Sequence, residues 1–106
     1  MLFRSPPPKD VALAAYRIVQ EALRNAAQHA AGATEVAVTL VRTPSALSVT
    51  IADNGAGFDR GTAHGKAGLG LASMEERVRL LGGTLEIDTR PGAGTSIRAT
   101  LPLETA

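Results

Sequence analysis

Asp53-Asn54-Gly55-Ala56-Gly57-Phe58 is the stretch on which the reading of this chain turns, with Gly61, Gly65, Gly68 and Gly70 following it. Six glycines between positions 55 and 70 are too many for a strand or helix interior, where each costs roughly 0.5–1 kcal/mol relative to alanine. The run therefore reads as a loop. It starts with an acid at the end of an apolar strand and ends where an amphipathic helix begins, which is a place where a nucleotide could sit.

Upstream, 35–41 (EVAVTLV) and 47–53 (LSVTIAD) alternate with period two, and Thr43-Pro44-Ser45 supplies a turn between them. Together they predict a β-hairpin. Side chains two apart share a face of a strand, so Leu47, Val49, Ile51 and Asp53 point the same way, toward the core. A carboxylate placed there needs a donor from the protein or from a ligand, because burial without a partner costs several kcal/mol. Asp-Asn-Gly is also ordinary turn chemistry, so a turn-capping Asp53 and a ligand-binding Asp53 fit the residues equally.

Further upstream, Ala15, Ile18, Val19, Ala22, Leu23, Ala26 and Ala30 recur at the spacing of a buried helical face. They predict a helix from about Asp10, an N-cap or first-turn acid, to Ala31, with Gly32 as its stop. Arg17, Glu21, Asn25 and His29 form a polar row four residues apart along it. A solvated face explains that row; so does a pair of hard oxygen donors, Glu21 and Asn25, of the kind Mg²⁺ prefers. Leu2-Phe3 ahead of Pro6-Pro7-Pro8 reads as a stub of edge strand followed by a stiff turn.

Downstream, Leu71, Met74, Val78 and Leu81 predict a second helix from about Gly70 to Leu81, stopped by Gly82, with Glu75 and Arg79 paired on its outside. Its start emerges from the glycines, where free N–H groups favour an anion; a mere tight turn at Gly68 and Gly70 is the plainer account. A possible extra helical turn lies around Arg60. The segments 84–90 and 95–101, joined by Pro91-Gly92-Ala93-Gly94, alternate as a second hairpin. Thr95 shares parity with Ile97, Ala99 and Leu101, so its hydroxyl faces the covered side and needs a partner there.

Two hairpins and two long helices predict an α+β, two-layer sandwich, a mixed and mostly antiparallel sheet covered on one face by helices. The 106 residues make one domain. A net charge of +1 with interleaved signs argues against a nucleic-acid footprint. The absence of cysteine removes disulfides and thiolate metal sites. Apolar runs are too short to cross a bilayer, and prolines follow Met1–Arg4 where a signal peptide needs an apolar segment. The domain reads as soluble, without membrane contact, and as a monomer by itself. With 3% aromatic residues, stacking platforms for single-stranded bases are few.

The familiar phosphate fingerprints fail here. No G-x-x-x-x-G-K-[ST] occurs, and Arg60 stands where G-x-G-x-x-G needs glycine. Four blocks in order instead resemble the ATP-binding catalytic domain of sensor histidine kinases, in the superfamily shared with DNA gyrase, a heat-shock chaperone ATPase and MutL. The segment 16–30 (YRIVQEALRNAAQHA) resembles the N box and 53–58 the D-x-G-x-G box; 68–77 (GLGLASMEER) resembles the second glycine box, and Gly94-Thr95-Ser96 the G-T box. The R-I-V-Q-E-A-L and M-E-E-R-V-R-L-L-G-G runs are most similar to the nitrate-sensor-like branch, whose members partner LuxR-type response regulators.

The resemblance implies the Bergerat ATP-binding fold, with ATP and Mg²⁺ bound. Asn25 would be the metal ligand. Glu21 would order a water at the metal or assist proton transfer from the attacking imidazole. Asp53 would accept from the adenine amino group, with Gly55 and Gly57 letting the backbone pass close and Thr95 completing that end. Gly68, Leu69, Gly70 and Leu71 would form the phosphate-side box, its glycine amides facing the phosphates. Residues 60–67 would be the ATP lid, with Lys66 its foremost cation and His64 a weaker one; His29 matches the family pattern, but a hydrogen-bonded helix residue explains it as well. Gln28 departs from the usual Lys or Arg, removing a charge-assisted phosphate contact of roughly 1.5–3 kcal/mol that Lys66 would have to replace.

The chemistry implied is γ-phosphoryl transfer to a histidine by positioning and charge neutralisation. In the branch that acceptor is a His-Asp pair on a preceding dimerisation domain, and neither His29 nor His64 is followed by an acid. The chain is thus expected to be a cytoplasmic catalytic domain without its substrate domain, from a parent that could be membrane-anchored. An anti-sigma-factor-type serine kinase and a nucleotide-binding regulatory module without kinase activity are the alternatives.

Overall fold

The computed structural model describes residues 7–29, 32, 35–55, 66–90 and 92–103, with the side chains at 28, 29 and 66–70 outside the description. Element order is α1 (Lys9–His29), β1 (Val36–Arg42), β2 (Ala46–Asp53), α2 (Lys66–Leu80), β3 (Thr84–Thr89) and β4 (Thr95–Pro102). The expected Leu2-Phe3 strand stub and the turn around Arg60 lie outside the described residues.

The sheet order is β1-β2-β4-β3, with every described ladder antiparallel. Both hairpins form: the Thr43 N–H donates to the Ala46 carbonyl at 2.9 Å, and the Ala93 N–H to the Arg90 carbonyl at 3.0 Å. Because β4 inserts between β2 and β3, those two strands run the same way, and β2-α2-β3 is a crossover that the reading as two hairpins does not anticipate. The consequence is functional. The end of β2 lies beside the start of β4.

Alternation on the two central strands puts Leu47, Val49 and Ile51 with Ile97, Ala99 and Leu101 under the helices, where all six are buried. Val11, Ala14, Ala15, Ile18 and Ala22 of α1, with Leu71, Met74 and Val78 of α2, close that core. The other sheet face stays polar: Ser48 and Thr100 share a hydroxyl hydrogen bond of 3.2 Å, and Arg98 approaches Glu86 at 3.5 Å. This is the expected two-layer α+β sandwich.

Three expectations change. Leu23 is 41% exposed while Val11 and Ala14 are buried, so the buried stripe of α1 lies nearer its N-terminus than the apolar spacing suggests. β1 alternates but is exposed along nearly its whole length, Leu40 at 63%, because an edge strand lacks a second neighbour and α1 lies over β2 and β4. Arg79 pairs with Glu76 rather than Glu75, at 2.6 Å to Oε1; this charged contact raises the Arg79 pKa but is solvent-exposed and adds little stability.

Helix ends follow local chemistry. Pro8 accepts the first helical bond from Ala12 N–H at 2.9 Å, and Asp10 accepts from Val11 N–H at 2.9 Å in the first turn. α2 closes in a Schellman motif: Gly83 N–H reaches the Val78 carbonyl, Gly82 N–H reaches that of Arg79, and Gly82 sits at φ +76°. α1 is described to His29 and α2 begins at Lys66, four residues before the expected start.

Leu101 is fully buried whereas Leu80 is 71% exposed. Leu101→Ala is expected to cost about 2–5 kcal/mol and Leu80→Ala less than about 1 kcal/mol, read as urea midpoints at constant slope.

Candidate functional site

The site is built from two places, the shared end of β2 and β4 and the middle of α1. Asp53 is the last residue of β2 and lies directly across from Thr95, the first of β4; Thr95 in turn lies across from Thr89, the last of β3. Facing residues of an antiparallel pair share a side of the sheet, so one carboxylate and two hydroxyls line up on the helix-covered face.

Asp53 is half-buried. Its Oδ1 accepts the Gly55 N–H at 2.8 Å, an Asx-type turn that fixes the carboxylate at the strand end. The required donor is therefore partly local, and it occupies only one of the two oxygens; Oδ2 remains available for a ligand donor. Both sequence readings of Asp53, turn-former and ligand acceptor, are compatible with one geometry.

The Thr95 hydroxyl has the partner its parity demanded. Thr89 Oγ1 lies 2.9 Å from Thr95 Oγ1, and Thr89 Oγ1 also donates to the Gly94 carbonyl at 3.3 Å. Gly94 is buried at φ +76°, and a Cβ there would collide with the carbonyl oxygen of Asp53. Glycine before Thr95 is thus required by close backbone approach as well as by dihedral. On the other side, the Asn54 side chain accepts from Glu35 N–H at 3.0 Å while Asn54 N–H donates to the Glu35 carbonyl at 3.3 Å. That clamp holds the chain as it leaves β2. A hollow of about 260 Å³ at this end of the sheet touches Asp53, Thr89 and Thr95 and equally Ala52, Asp88 and Ser96, which belong to the opposite face, so it lies at the strand ends and not under the helices.

On α1, Glu21 and Asn25 are half-buried, one turn apart on one side of the helix. Glu21 opens into a cleft of about 340 Å³ between α1 and α2, with Met74 at its floor and Arg17, Arg24 and Arg77 around it. Asn25 is not among the residues lining this cleft. Among the described residues no group of three or more His, Cys, Asp or Glu side chains could hold a metal ion. A single carboxamide such as Asn25 is compatible in donor chemistry with Mg²⁺, which keeps waters and takes only one or two protein oxygens.

The helical start at Lys66 moves the phosphate-side box. The open N–H groups of a first turn are then those of Lys66, Ala67 and Gly68, while Gly70 falls in the second turn with its amide inside the helix. Lys66 and Ala67 belong to α2 rather than to a lid. Leu69 shares that helix, and Leu71 is buried in the core at 5% exposure, so its side chain faces away from any ligand. Gly57 and His64 lie outside the described residues, as do the side chains of Gln28 and His29.

Sequence reasoning missed Thr89 and the clamp made by Asn54. Thr89 carried a readable signal, since it shares parity with Leu85 and Ile87, both packed against the core. Nothing local in the sequence marks Glu35 as the partner of Asn54, nineteen residues away.

An acid is thus pinned at a strand end, with a threonine facing it across the ladder and a close glycine–threonine approach beside it. Residues 10–105 match the model of the family described as histidine kinase-, DNA gyrase B- and HSP90-like ATPase, and the chain belongs to that family. It is 42% identical over 98 residues to the signal transduction histidine-protein kinase/phosphatase DegS of Brevibacillus brevis, covering 92% of this chain and 25% of that protein. It is 42% identical over 91 residues to the sensor histidine kinase MctS of Rhizobium johnstonii, covering 84% of this chain and 19% of the relative. The chain thus spans a quarter or less of these curated relatives.

Among solved structures, the histidine kinase domain of the Erythrobacter litoralis blue-light activated histidine kinase superposes with a TM-score of 0.71 at 30% identity, over 91% of this chain and 46% of that one. The mycobacterial sensor histidine kinase MprB gives 0.65 at 29% identity, over 85% and 70%. The domain is of the histidine kinase ATPase type; none of these comparisons confirms the nitrate-sensor-like placement.

Replacing Gly94 with alanine forces both a disfavoured φ and the collision with Asp53. A loss of about 1–3 kcal/mol in stability is expected, measured by chemical denaturation, with ATP affinity falling in the same variant.

Proposed function

We propose that this domain binds Mg-ATP and transfers the γ-phosphoryl group to a histidine on a separate dimerisation domain of the same parent protein. The observation that carries the reading is the carboxylate of Asp53, held by Gly55 N–H at 2.8 Å with one oxygen left over, next to Thr95 on the covered face. That arrangement leaves a half-buried carboxylate oxygen to accept a hydrogen bond from an adenine amino group. Family membership supplies ATP as the ligand class.

Each further role is a proposal on this chain's residues. Asp53 and Thr95 orient the base, with Gly55 and Gly57 allowing close approach. The first-turn amides of α2 and Lys66 hold phosphate oxygens, the cation standing in for the one absent at Gln28. Asn25 is the protein ligand for Mg²⁺, which when bound neutralises phosphate charge. Glu21, half-buried and beside an open cleft, is placed to take the proton of an attacking imidazole. His29 is assigned only to the phosphate-side end of α1.

The acceptor domain, a LuxR-type response regulator downstream, a cytoplasmic setting and a monomeric isolated domain belong to the same proposal. No helix among the described residues is long and apolar enough to cross a membrane.

Asp53→Asn and Asn25→Ala are each expected to weaken Mg-ATP binding by on the order of 100-fold, since each leaves a ligand polar group unpaired. Titration calorimetry with circular dichroism of each variant measures this, and unchanged affinity in both discards the site. Incubated with γ-labelled ATP, this chain alone is expected to gain no acid-labile phosphate; stoichiometric label on it would contradict the need for a separate acceptor.

A further inference from the structure

We infer that Thr89 is a positioning and specificity-determining residue of the base site, acting through the hydroxyl of Thr95. The inference rests on the ATP reading above and concerns a residue on β3 that the motif blocks do not include.

Thr89 Oγ1 lies 3.3 Å from the Gly94 carbonyl oxygen, which can only accept, so Thr89 must donate there. A hydroxyl has one proton. The 2.9 Å contact between Thr89 Oγ1 and Thr95 Oγ1 admits either hydroxyl as donor; with the Thr89 proton on the Gly94 carbonyl, Thr95 is the donor, and it turns its lone pairs toward the ligand. Beside it, across the β2–β4 ladder, stands Asp53, whose Oδ1 is held by Gly55 N–H and whose other oxygen also only accepts.

The floor of the site is therefore a pair of acceptors. An exocyclic amino group, or an amino group with a bridging water, supplies the protons such a pair needs; a keto oxygen in that position meets only lone pairs. Without Thr89 the Thr95 hydroxyl is free to rotate and donate, and the discrimination against a keto purine weakens. Thr89 touches neither reacting atoms nor metal in this account. Its effect is on which purine is accepted.

The test compares ATP with inosine triphosphate, which carries a keto oxygen where ATP has the amino group, by calorimetry on the wild-type chain, Thr89→Val, Thr95→Val, Thr89→Ser and the double variant Thr89→Val with Thr95→Val. In Thr89→Val the ATP-to-ITP affinity ratio is expected to fall about tenfold, partly through stronger ITP binding. Thr89→Ser, which keeps the hydroxyl, is expected to retain the wild-type ratio. The double variant is expected to match Thr95→Val alone. An unchanged ratio in Thr89→Val, a ratio lost equally in Thr89→Ser, or additive losses in the double variant would overturn the inference. A purely structural role lowers both affinities together and leaves the ratio in place. If the wild-type chain bound no ATP, the nucleotide reading and this inference would both fall; wild-type binding with unchanged discrimination overturns this inference alone.

Discussion

The structure depends on the register that sets Asp53 opposite Thr95. A shift of one residue between β2 and β4 would turn Leu47, Val49 and Ile51 out to solvent and Asp53 with them, so the contacts that form the core also fix the carboxylate. Gly94 tightens the same join, because only a residue without Cβ lets β4 begin this close to the Asp53 backbone. Core and site are held by one constraint. This explains how a domain of 106 residues can carry a carboxylate on its covered face.

The helices complete the division of labour. Ile18 and Ala22 anchor α1 on the sheet, while Glu21 and Asn25 on the next side of the helix stay half-exposed without leaving the core open. On α2, Leu71, Met74 and Val78 pin the helix, and the Schellman close at Gly82 ends it. Its N-terminal turn is thereby carried on a packed rod, aimed from the core rather than from a free loop.

Strand periodicity was legible because the central strands are buried on one face only, as in 47–53 and 95–101. The same signal misled for β1, where alternation survives at an edge that no helix covers. Leu23 failed because α1 covers the sheet with its N-terminal half, a choice made by tertiary packing and invisible to spacing. The Glu76–Arg79 pair won over Glu75 because i,i+3 and i,i+4 partners are nearly equivalent on an exposed helix. Asp53 and Thr95 could be placed from parity alone. Their neighbour Thr89 needed the strand order, since only the insertion of β4 between β2 and β3 brings all three together.

The central claim is that Asp53 reads the base while Asn25 holds the metal. A crystal structure of the chain with Mg²⁺ and a non-hydrolysable ATP analogue tests it most directly. The account predicts the adenine amino nitrogen within about 3 Å of Asp53 Oδ2 and Asn25 Oδ1 about 2.1 Å from Mg²⁺. A nucleotide seated elsewhere, such as in the α1–α2 cleft beside Arg77, with Asp53 bonded only to Gly55, would contradict it.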